Sequence, residues 1–176
     1  MEHFAVSAVG RDRPGIVAAL TGALLEIDGN IEDSRMAILG GNFAVMLVVS
    51  IPDDRRQEEL ERLLQAAASE VGLDAIAVSP VAEAGASVGP THIVSVYGSD
   101  HPGIIHAAAT RLAAAGANIT DLQTKLIEAG DEPIYVLLLE IQLDPHSVAA
   151  VTEALERVRE EAGVDVAVNP IEAEAL

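Results

Sequence analysis

The chain has 176 residues, half of them apolar, and sets 28 acidic side chains against 10 basic ones for a formal net charge of −18. That balance disfavours direct contact with nucleic acid or an anionic membrane, because such binding rests on neutralising phosphates with Lys and Arg. The absence of cysteine rules out a disulfide framework, a thiolate metal site and a cysteine nucleophile.

The N-terminal stretch MEHFAVSAVG lacks the basic region and long apolar core of a signal peptide. A β-rich run covers Phe4 to Val9. A helical pattern follows, with Ile16, Leu20, Leu24 and Ile27 along one face. Two strand-like segments, roughly 30–39 and 42–51, are joined by GGN, a glycine-bearing joint that signals a hairpin. The run Phe43 to Val49 is far too short to span a bilayer. A second amphipathic helix carries Leu60, Leu63, Ala67 and Val71, and LDAIAVSP closes the set as a strand. The stretch AEAGASVGPT, residues 82–91, is small and flexible in composition and reads as a linker.

The pattern then starts again. Residues 10–33 fall on 98–121 without a gap. Gly10, Asp12, Pro14, Gly15, Ile16, Ala19, Leu24, Asn30, Ile31 and Asp33 recur as Gly98, Asp100, Pro102, Gly103, Ile104, Ala107, Leu112, Asn118, Ile119 and Asp121. The second copy has a β-rich run from Ile93 to Tyr97, then a helix with Ile104, Ala108, Leu112 and Ala115 on one face. A longer hairpin joint at EAGDEP (128–133) follows, then a helix with Val148, Val151, Leu155, Val158 and Ala162, and a closing strand VDVAVNP. Each copy therefore reads β-α-β-β-α-β. The expected fold is α+β: two ferredoxin-like βαββαβ units, each a four-stranded antiparallel sheet in order 4-1-3-2 with two helices on one face. The expected domains are residues 1–81 and 92–176, with 82–91 as the linker. The apolar third strand belongs at the centre, and the second strand forms an open edge where another copy can pair.

The stretches GRDRPGIVAAL and GSDHPGIIHAA place an aspartate, a proline and a glycine at the start of each first helix. Proline is tolerated in a first turn because its missing N–H would be unpaired there. Asp12 and Asp100 stand where they can cap the helix or favour its positive end. Gly15 and Gly103 lack a Cβ and admit a close approach. A helix N-terminus offers N–H groups to a carboxylate, and a neighbouring Asp can receive an ammonium. Asn30 and Asn118, where each chain enters its second strand, supply an amide that both donates and accepts. Together these groups suit a zwitterionic amino acid. A purely local reading makes the same residues a good helix start and a stable strand entry.

These two stretches, with the pattern DxPG…NI in both copies, resemble the signature of ACT domains, small ligand-sensing modules of βαββαβ fold. The resemblance covers nearly the whole chain outside the linker. Two ACT units with nothing else attached resemble the glycine cleavage system regulatory group. In that family, paired units join sheets edge to edge through second strands and bind amino acids at the interface. Carried over, the resemblance implies ligand-binding roles for Asp12, Pro14, Gly15 and Asn30, and for Asp100, Pro102, Gly103 and Asn118. Gly10 and Gly98 would help form the turn. The flanks differ, Arg11 and Arg13 against Ser99 and His101, so the expectation is either two sites of different affinity or a single functional site.

No catalytic residue, metal ligand or cofactor is expected. His101 and His106, five apart at a helix start, do not share a helical face, and no HExxH, Walker A or GxGxxG motif occurs. The expectation is a non-enzymatic, cytoplasmic regulatory protein that senses a glycine- or serine-like amino acid, forms a homo-oligomer (a dimer) and acts through a partner protein. The alternatives are a ligand-free dimerisation scaffold, or an acylphosphatase-like enzyme using Arg11 or Arg13. Neither arginine has a counterpart in the second copy.

Overall fold

The computed structural model describes residues 1–53, 55–81, 89–129 and 132–171. The chain divides into two compact units, Met1–Ala86 and Ser87–Leu176. Most of the expected linker, residues 82–88, lies outside the described residues. Thr91 is already tied into the second unit, donating its backbone N–H to the Ile141 carbonyl at 2.8 Å.

The first unit begins with β1 (Glu2–Arg11), whose alternation puts Phe4, Val6 and Ala8 on one face, all buried. Helix α1 (Ile16–Leu25) buries Ile16, Leu20, Ala23 and Leu24, the i, i+4, i+7, i+8 stripe of a half-buried helix. It ends where the backbone turns back, Gly29 donating its N–H to the Leu24 carbonyl at 2.8 Å. Strands β2 (Asn30–Leu39) and β3 (Asn42–Ile51) form a hairpin. Only two residues join them, Gly40 and Gly41, at φ 56 and 79. Two successive positive φ values mark a tight turn of the kind that matches strand twist, and they require glycine. Helix α2 (Gln57–Glu70) carries Glu58 and Glu59 in its first turn, favourable to its dipole. Strand β4 (Leu73–Pro80) closes the sheet in the order β2-β3-β1-β4.

The second unit repeats this plan with β5 (His92–Ser99), α3 (Ile104–Ala114), β6 (Asn118–Ala129), β7 (Glu132–Gln142), α4 (Val148–Ala162) and β8 (Asp165–Pro170). Its sheet order is β6-β7-β5-β8. A 3-10 turn at Pro145–Ser147 leads into α4, capped by Asp144 accepting from the His146 N–H at 2.8 Å. Each unit is thus a four-stranded antiparallel sheet with two helices and one aliphatic core. In the first, Val6, Val49 and Phe43 meet Leu20, Leu24, Leu60 and Leu64. In the second, Val94, Val96, Leu137 and Leu139 meet Leu112, Val151, Leu155 and Val158.

Three details depart from the sequence expectation. On α2 the fully buried leucines are Leu60 and Leu64, while Leu63 and the C-cap Val71 are only partly buried; the stripe is rotated by the packing of α2 against α1. The insertion at residues 128–133 does not make a longer joint. It lengthens the hairpin arms, since β6 runs to Ala129 and β7 starts at Glu132; residues 130 and 131 lie outside the described residues. Gly10 and Gly98 sit within β1 and β5 and not in the turns, where they let the last strand of the unit come close.

Candidate functional site

The DxPG turns are built by a left-handed glycine. Gly15 and Gly103 are the N-cap residues of α1 and α3, at φ 98 and 106. That conformation is cheap only for glycine. A Cβ added at either position meets nothing within 4 Å, so the backbone of the turn faces open space. Neither helix start is capped by a side chain. The carboxylates of Asp12 and Asp100 therefore do not serve as caps, because each lies three residues before the N-cap. Pro14 and Pro102 likewise precede the N-cap and do not fill the first helical turn. The free N–H groups expected at a helix start remain available beside an exposed aspartate in both units.

The turn of the first unit is anchored from below: the Asp12 N–H donates to the Gly41 carbonyl at 3.0 Å, tying β1's exit to the β2–β3 hairpin. In the second unit the turn opens onto a hollow of about 760 Å³ lined by Asp100, His101, Pro102, Gly103, Ile104, Ile105, His106, Ala109 and Tyr135. Its chemistry is mixed: a carboxylate and a helix start together with Ile105, Ala109 and Tyr135. His101 and His106 share this hollow although helical spacing separates them. His101 precedes the N-cap Gly103, so the helical period does not govern it. Among the described residues no group of three His, Cys, Asp or Glu side chains could hold a metal ion.

Sequence reasoning passed over Tyr135 and the contacts of His101. Tyr135 reaches the turn because β7 places it opposite Gly98, a pairing no local pattern announces. His101 sets Nδ1 3.1 Å from the Pro102 carbonyl oxygen and Nε2 2.8 Å from the Ala162 carbonyl oxygen. Its pKa is raised, first by the bond to Pro102 and then by that to Ala162.

The asparagines lie elsewhere. Asn30 opens β2 opposite Ser50, whereas Arg11, next to Asp12, lies opposite Asn42. Eight residues of β3 separate those two pairs, roughly 26 Å at the rise of an antiparallel strand. Asp12 and Asn30 thus stand at opposite ends of one sheet. Asn118, paired with Gln142, is likewise at the far end from Gly98, paired with Tyr135. Both asparagines are exposed and both sit on an edge strand.

Two βαββαβ units of one strand order, each with a glycine-started helix behind an aspartate, define a tandem ferredoxin-like protein with a repeated β–α turn. The sequence model of the ACT domain matches residues 2–77 and again 91–169, and the chain belongs to the ACT domain family. A glycine cleavage system transcriptional repressor of Escherichia coli is 28% identical over 152 residues, covering 86% of this chain and 78% of that protein. A UPF0237 protein of Methanopyrus kandleri is 38% identical over 77 residues, 43% of this chain and 86% of its own. Among solved structures, an unknown protein from Galdieria sulphuraria superposes with a TM-score of 0.83 at 31% identity, covering 97% of this chain and 99% of that one. Among the described residues no helix is long and apolar enough to cross a membrane.

Proposed function

We propose that this chain is a non-catalytic cytoplasmic regulator that binds a small, glycine- or serine-like amino acid at its DxPG turns and acts through a partner protein. The observation that carries the reading is the helix start left uncapped behind a left-handed glycine, with an exposed aspartate beside it, in both units. The ligand carboxylate takes the N–H groups at the start of α1 or α3, where the helix dipole favours negative charge. Its ammonium meets Asp12 or Asp100. Pro14 and Pro102 fix the backbone entering the turn, and Gly15 and Gly103 leave room for the ligand.

Asn30 and Asn118 join the site from the ACT unit of another copy in a homodimer. Antiparallel pairing of two such edge strands sets the first residue of one opposite the last residue of the other. The last residue of β2, Leu39, lies opposite Asn42 and so at the end of the sheet that carries Arg11 and the turn. Edge pairing thus brings an asparagine to the turn that its own unit cannot supply. Occupancy then favours the paired form in proportion to its differential affinity for it. The similarity to a protein named as a glycine cleavage system repressor supports a place in the control of amino-acid or one-carbon metabolism.

The test is a thermal-shift panel of amino acids and 2-oxo acids, followed by calorimetry on any hit. A ligand at a hundredfold excess over its dissociation constant stabilises the native state by roughly 2.7 kcal/mol. A selective rise with one or two amino acids, lost in the Asp12→Ala/Asp100→Ala double variant, is expected. A flat panel at millimolar concentration would leave a scaffold without ligand.

A further inference from the structure

The residue between the aspartate and the proline differs in the two units, Arg13 in the first and His101 in the second, yet it reaches the same place. The Arg13 guanidinium lies over Gly72, two residues beyond α2: a Cβ on Gly72 would stand 3.0 Å from Nη1 and 3.2 Å from Nη2. The His101 ring spans from its own turn to Ala162, the last residue of α4. Gly72 and Gly163 are matched positions, at φ 63 and 61, each one residue before the residue that packs on the β1 or β5 glycine, Leu73 on Gly10 and Val164 on Gly98. A helix C-terminus carries partial negative charge and favours a cation there.

Carbonyl oxygens only accept. A neutral imidazole has one N–H, so it would turn a lone pair toward either Pro102 or Ala162. Both bonds together need the doubly protonated ring. Among the described residues, the groups near it include Asp100 on the same turn, His106 of α3 and Tyr135 of β7 on the shared hollow, and Glu161 of α4, which is held by Arg111 of α3. The raised pKa of His101 follows first from the Pro102 bond and then from the Ala162 bond; desolvation opposes them, and the Asp100 carboxylate adds the smallest contribution.

We infer that this position is a cationic strut that holds the DxPG turn against the C-terminus of the second helix. The strut is permanent in the first unit through Arg13, and in the second it exists only while His101 carries both ring protons. Arg13 stays charged at any physiological pH. The second turn therefore loosens as pH rises through the His101 titration, and the first does not. That this gates a ligand rests on the function proposed above; the strut itself does not. Arg13 and His101 are positioning residues, acting on the turn and not on a ligand directly.

The experiment is a ligand-free NMR titration of the full chain, following the histidine ring nitrogens and the Gly15 and Gly103 amides. Both His101 ring nitrogens are expected to be protonated at about pH 6, with a midpoint above 6.5. The Gly103 amide shift should follow that midpoint while Gly15 stays flat across it. His101→Arg installs the residue the first unit already uses, and should abolish the Gly103 titration with the fold retained. His101→Gln should hold Gly103 at its high-pH position throughout. A single neutral tautomer at about pH 6 overturns the inference. So does a Gly103 titration that persists in His101→Arg. Because no ligand is added, a flat amino-acid panel leaves this outcome untouched.

Discussion

Gly10 packs so closely on Leu73 that a Cβ on Gly10 would stand 2.9 Å from the Leu73 Cα. This contact lets β4 lie against β1 at the register shift beside Val9. In the second unit the matching Cβ on Gly98 would meet a side chain instead, Val164 Cγ1 at 2.7 Å, with the backbone at 3.4 Å. Gly10→Ala must push backbone aside and is expected to cost about 1–3 kcal/mol, the range for overpacking. Gly98→Ala displaces a valine methyl and should cost less. Urea denaturation of the two variants orders them, and equal costs would mean that β4 yields as easily as a side chain.

Gly22 lies inside α1, is exposed, and would meet nothing within 4 Å if given a Cβ. It is not among the residues at positive φ. Gly22→Ala should stabilise the first unit by about 0.5–1 kcal/mol, through helix propensity and a smaller unfolded-state entropy. Thermal denaturation reads the effect. A loss of stability would show that the exposed face of α1 is covered in the native protein.

The two turns separate stability from binding. Gly15→Ala and Gly103→Ala place an L side chain at φ 98 or 106, and each should cost about 1–3 kcal/mol of strain. Asp12→Ala and Asp100→Ala remove carboxylates that make no cap bond, so stability should change by less than about 0.5 kcal/mol, as at ordinary surface sites. The same aspartate variants should lose the amino-acid response in calorimetry. A large stability loss with the response intact would return these residues to a purely structural role.

The pH dependence has a definite sign. His101 titrates higher in the folded chain than its ordinary value of 6.5 because of the Pro102 and Ala162 carbonyls. Its contribution is therefore complete below the unfolded value and is lost as pH rises through the folded one. Melting temperature across that window should fall more in the wild type than in His101→Arg, whose charge persists. Parallel curves would place the pH dependence on other groups.

The architecture was legible because its signals are local and doubled. The GG hairpin joint, the apolar stripe of α1 and the β-rich third strand each fix an element, and their recurrence fixes two units. Hairpin bounds at 30–39 and 42–51 agree with β2 and β3, since a two-glycine turn leaves little freedom of register. The rotated face of α2 was not legible: Leu63 and Leu64 are equally apolar, and only helix–helix packing decides which enters the core.

By itself the sequence determined the two-fold repeat and the order of strands and helices in each unit, because periodicity is written residue by residue; that a left-handed glycine, and not the aspartate or the proline, starts each first helix came from the structure. Tertiary structure alone decided which of the marked residues meet. It set Asp12 and Asn30 at opposite ends of a sheet, because β2 runs parallel to β1 and so begins at the end where β1 began. It brought Tyr135 to the second turn through cross-strand register, and it carried Arg13 and His101 to the end of a helix that lies some sixty residues on in the sequence of each unit (|i−j| = 61 for His101 and Ala162). Spacing along a chain records what a residue can do locally, whereas proximity across a sheet is set by pairing, which no single segment carries.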